Sequence, residues 1–96
     1  MSGPIKRSSL RGRRPVDSAA LSRRLAQNMR RLRREQGLTL QAAAESAQLQ
    51  IHSWQELEAG VGKPTLATLC RVAEALGVDP AALVAAPPRR KRNGSS

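Results

Sequence analysis

Leu21, Leu25, Met29 and Leu32 fall at i, i+4, i+8 and i+11, which draws one apolar stripe along an amphipathic helix. Asp17 or Ser18 can cap its start and Gly37 supplies a left-handed stop, so the pattern predicts a helix over 18–36. Leu40, Ala43, Ala44 and Ala47 repeat the helical spacing behind Thr39, a good N-cap, and predict a second helix over 40–47. After the break Gln48-Leu49-Gln50, the residues Ile51, Trp54, Leu57 and Glu58 mark a third helix over 51–59 that stops at Gly60. Gln50 is a poor cap, so this helix starts less firmly than the others. Gly60-Val61-Gly62-Lys63-Pro64 reads as a loop, and Thr65 opens a fourth helix over 65–76. Leu66, Leu69, Cys70, Ala73 and Leu76 are its expected buried stripe, which makes Cys70 a small core residue. Asp79-Pro80 is a cap followed by proline at the first helical position, opening a short helix over 80–85.

Two short helices separated by a tight break are the outline of a helix-turn-helix. Trp54 is expected to point inward and to fill the space left by Ala43 and Ala47. Alanines bury little area themselves but let helices approach closely.

Composition narrows the fold. Ninety-six residues allow one small domain with a modest core. One Trp is the only aromatic, and Ala and Leu dominate the apolar residues, so the chain is expected to be all-α. No run of 18 apolar residues exists, and the basic start is not followed by an apolar segment. With the single cysteine, this points to a cytoplasmic protein. The expected organisation is a disordered basic arm over 1–16, a domain over 17–86 closed by Pro87-Pro88, and a basic tail over 87–96.

Charge changes the picture more than composition does. The chain is +10, yet residues 17–86 carry eight basic and seven acidic groups. The arm supplies five cations and the tail four. Six of the domain's eight are Arg23, Arg24, Arg30, Arg31, Arg33 and Arg34, all on the first helix. From Thr39 to Gly60 there is no Lys or Arg, against Glu45, Glu56 and Glu58. Any grip on phosphate therefore falls to the arms and to Arg23, Arg24, Arg30, Arg31 and Arg34.

No catalytic or metal constellation is present. His52 is the one histidine and has no cysteine or pair of carboxylates at metal-ligand spacing. Glu56 and Glu58 are two apart on a helix and point in different directions. No enzyme activity and no cofactor are expected.

Leu25 to Val84 resembles the Cro/C1-type helix-turn-helix domains, the XRE family of phage and bacterial repressors. The likeness is carried by MRRLRREQGLT, LQIHSWQELEAG and KPTLATLCRVAEALGVDPAAL. It implies a compact, phage-repressor-like, DNA-binding domain of five helices. It also implies that Arg33 pairs with Glu58 to tie the first helix to the third. Ile51, His52, Gln55 and Glu56 would face the major groove, Leu40, Gln41 and Gln50 would adjoin them on the DNA- or partner-binding surface, and Lys63 would lie close to the phosphate backbone. Gln48 stands where the family usually has Gly, at a cost of about 1 kcal/mol if the left-handed geometry is kept. Gln50 replaces the usual Ser or Thr cap, and Leu40 a frequent Gln.

Two functions follow. One is a DNA-binding transcription regulator, pairing as a homodimer on double-stranded DNA. The alternative is a protein-binding module that docks on another regulator or a toxin through the uncharged-to-acidic face of the second and third helices, as an anti-activator or antitoxin.

Overall fold

The computed structural model describes residues 17–86, and the two basic segments expected to be disordered lie outside the described residues. Five helices and, among the described residues, no strand make up the fold: α1 (Ser18–Glu35), α2 (Leu40–Ser46), α3 (Ile51–Glu58), α4 (Leu66–Leu76) and α5 (Pro80–Val84). The all-α expectation holds.

The starts of the helices follow local chemistry. Asp17, Thr39, Thr65 and Asp79 each accept a first-turn amide on the side chain, at 2.8, 3.0, 3.1 and 2.8 Å. Gln50 makes no such bond, so α3 alone begins without a side-chain cap. The first four helices end alike. Leu38, Leu49, Val61 and Val78 each return their amide to the carbonyl five residues earlier, the Schellman arrangement that needs a left-handed residue just before. Gly37, Gly60 and Gly77 supply it after α1, α3 and α4, and Gln48, with φ of +60°, supplies it after α2.

Met29, Trp54, Val72, Leu76 and Leu83 are the largest apolar side chains fully enclosed in the core, joined by Ala43, Ala44 and Ala47. The alanines let α2 lie close to the Trp54 ring, as the pattern predicts. α1 packs on both α3 and α5 and touches α4 as well.

Some α1 side chains do what the sequence does not announce. Asn28, 1% exposed, donates its amide to the carbonyls of Ala82, Leu83 and Ala85 at 3.3, 2.8 and 3.0 Å. Arg24 reaches the Val84 carbonyl, Arg30 the Glu58 carbonyl, and Gln36 the Leu76 carbonyl. Helix ends leave unpaired carbonyls and partial negative charge. α1 and its C-cap residue Gln36 thus cap the C-termini of α3, α4 and α5 with their side chains.

Two expectations about buried stripes are corrected. Cys70 is exposed and Leu66 is 80% exposed. The face of α4 turned to the core is centred on Leu69, Val72, Ala73 and Leu76. Cys70 is turned about 100° from Leu69 and lies beyond Ala73, on the solvent side. On α1, Leu25 and Met29 are buried and Leu32 packs against the core, but Leu21 is 36% exposed at the helix start, where nothing covers it fully.

Candidate nucleic-acid and partner interface

α3 divides sharply. Trp54, Leu57 and Glu58 turn inward, while Ile51, His52, Gln55 and Glu56 turn to solvent. Their i, i+1, i+4, i+5 spacing places the four on one face. His52 Nε2 lies 3.2 Å from a Glu56 carboxylate oxygen, so two of the four side chains hold each other. Gln41 and Gln50 are also exposed, and the Gln41 amide donates to Glu45 at 3.3 Å. Leu40 is half-buried and packs against the core, which leaves little of it for a ligand. A small residue series on α2 and a bulky inward Trp on α3 therefore place an uncharged-to-acidic face outward.

Behind this face sits a polar hub on Glu58. Its carboxylate receives Arg33 Nε at 2.7 Å and Arg33 Nη2 at 3.1 Å, a forked pair, and Trp54 Nε1 at 2.7 Å. Arg33 also donates to the Leu38 carbonyl at 3.0 Å. The Glu58 side chain is 8% exposed and that of Arg33 14%. The hydrogen bonds to Glu58 hold the Arg33 guanidinium above its ordinary pKa; burial opposes this and the Glu58 charge reinforces it. The Arg33–Glu58 pair is present, and it orients α3 against α1. The indole bond to Glu58 was not anticipated, although its i, i+4 spacing was readable.

The arginines of α1 divide into two groups. Arg24 and Arg30 cap helix ends, and Arg31 donates to Asn28 at 3.2 Å and pairs with Glu35 at 3.5 Å. These three side chains, part-exposed, each have a partner within the protein. Arg23 and Arg34 are exposed and make no hydrogen bond or ion pair among the described residues. Lys63 is exposed beside α3, lining a groove of about 220 Å³ with Ser53, Glu56, Thr65 and Thr68. No three His, Cys, Asp or Glu side chains among the described residues group to hold a metal. No helix among them is long and apolar enough to cross a membrane.

With two helices meeting at a tight turn and the second offering a free outward face, the family can be compared. The helix-turn-helix domain family matches residues 24–86, well over half of the chain. The chain belongs to this family. The helix-turn-helix structure is similar to that of an HTH_3 family transcriptional regulator from Vibrio cholerae, with 27% identity and a TM-score of 0.66 over 70% of this chain. It spans 38% of that regulator's length. It is similar also to the restriction-modification controller protein C.AhdI from Aeromonas hydrophila, with 26% identity and a TM-score of 0.62 over 65% of this chain and 94% of that one. The clp gene regulator ClgR from C. glutamicum shares 30% identity, with a TM-score of 0.61 over 66% of this chain and 82% of its own. No curated protein matches the chain. The resemblance read from the sequence therefore holds at the level of the family, whose solved members named here are regulators rather than enzymes.

Proposed function

We propose that this helix-turn-helix protein is a DNA-binding transcription regulator that lays α3 in the major groove. The observation that carries the reading is the geometry of α3: Ile51, His52, Gln55 and Glu56 stand outward on one face while the Arg33–Glu58–Trp54 hub fixes the helix from behind. Ile51 suits a thymine methyl, Gln55 an adenine edge and Glu56 a cytosine amino group. Phosphate attraction comes from Lys63, Arg23 and Arg34, together with the basic arm and tail. Paired half-sites, usual for such a motif, call for two copies. The kinship with regulators and with a restriction-modification controller supports this assignment.

Selection from a random duplex pool at low salt, repeated at higher salt, tests it. An enriched sequence whose affinity falls steeply with salt is the expected result. A pool that stays random, with binding lost on removal of residues 1–16 and 87–96, refutes it.

One observation favours a second reading. Thr39 to Gly60 holds no Lys or Arg and has Glu45 and Glu56 at its surface. Such a face also suits docking on a protein, an activator or a toxin. Ile51→Lys separates the two: if the face meets DNA the variant still binds duplex but no longer selects the same sequence, and if it meets a protein the variant loses its partner.

A further inference from the structure

We infer that His52 takes up a proton when α3 enters duplex DNA, so that sequence-selective affinity rises as the pH falls. The inference rests on the DNA-reading proposal and gives that same site a dependence on acidity. One juxtaposition carries it: His52 Nε2 lies 3.2 Å from a Glu56 carboxylate oxygen on the outward face of α3.

From Thr39 to Gly60 there is no Lys or Arg, and His52 is the one histidine of the chain. It is the single side chain of this stretch that can become positive between about pH 5 and 8. The exposed acids of the same stretch are Glu45 and Glu56. A carboxylate carried toward phosphates is repelled by them. Beside a protonated imidazole, Glu56 enters the phosphate field as half of a neutral pair. The oxygen that does not meet His52 stays free to accept from a base. In the complex the phosphates favour the charged form of the imidazole. The two side chains are 76% and 50% exposed, so burial does little to oppose that charge.

No other group takes over this part. On α2, Glu45 accepts from Gln41. On α1, Arg30 and Arg33 are bound to Glu58 behind α3. Lys63, in the loop after α3, shares a groove with Glu56. Among the described residues, Glu56 is the one carboxylate in ion-pair contact with His52. A complex that holds one proton more than its separate parts gains affinity as the pH falls, by at most about tenfold per pH unit.

Because the chain has one histidine, its imidazole resonance can be followed without ambiguity. The duplex selection is run at about pH 6 and about pH 8, across the imidazole range and at fixed ionic strength. The resonance is then titrated in the free chain and in the complex with the enriched duplex. The inflection should move to higher pH in the complex. Fluorescence anisotropy should show affinity at least about threefold higher at the lower pH. His52→Gln, at an exposed position, should keep the circular dichroism spectrum and flatten this profile. An inflection that does not move, or the same pH response in His52→Gln, overturns the inference. A chain that selects a duplex with equal affinity at both pH values refutes the proton uptake alone. A chain that selects no duplex at either pH refutes the DNA reading and the proton uptake together.

Discussion

Replacing Arg33 by Met tests the hub that orients α3. The substitution keeps an apolar stem of similar length and removes the two donors at 2.7 and 3.1 Å from Glu58, together with the bond to the Leu38 carbonyl. Glu58, 8% exposed, is left with the Trp54 indole as its one side-chain donor. An uncompensated carboxylate at that burial costs about 3–5 kcal/mol. Against the roughly 5–15 kcal/mol that holds a small domain together, this is a large fraction. Urea titration followed by circular dichroism reads the loss directly, and melting should begin at least about 12 °C lower. The pair Arg33→Met with Glu58→Gln separates charge from packing. The glutamine oxygen still accepts from Trp54, but no buried charge remains, so the double variant should be more stable than Arg33→Met alone. If Arg33→Met costs less than about 1 kcal/mol, Glu58 does not depend on it. If the double variant is no better than the single, the loss comes from packing and the electrostatic argument fails.

Asn28→Ala should cost about 1–3 kcal/mol in the same titration, because the carbonyls of Ala82, Leu83 and Ala85 lose their shared donor. Hydrogen exchange should report the loss first at the end of α5. Gln48→Gly should raise stability by about 1 kcal/mol, since glycine adopts a φ of +60° without the strain a side chain brings; an unchanged midpoint would mean that the turn carries no strain. Cys70→Ser should change stability by less than about 0.5 kcal/mol, and native Cys70 should react at once with a thiol reagent. Slow reaction, limited by unfolding, would return Cys70 to the core.

What could be read without coordinates is what is written within a few residues. The caps at Asp17, Thr39, Thr65 and Asp79 are local, and so are the stops at Gly37, Gly60 and Gly77. Helical spacing alone outlines α2, the turn and α3, but it groups Ile51 with Trp54, and only the family resemblance sets Ile51, His52, Gln55 and Glu56 outward. What could not be read depends on partners far along the chain. The periodicity of α4 fits several choices of buried face, and only packing against α2 and α5 turns Cys70 and Leu66 outward. The α1 arginines resemble a free polyanion grip because their acceptors, the carbonyls of Glu58 and Val84, lie 28 and 60 residues away. Asn28 gave no signal at all, since a buried amide is recognised by the carbonyls it serves, and those are 54 to 57 residues distant. The sequence by itself determined the helices and their caps, because each rests on neighbours within one or two turns. Tertiary structure alone decided which charges are engaged among the described residues and which faces of α3 and α4 turn outward, because both depend on what the folded chain brings against them.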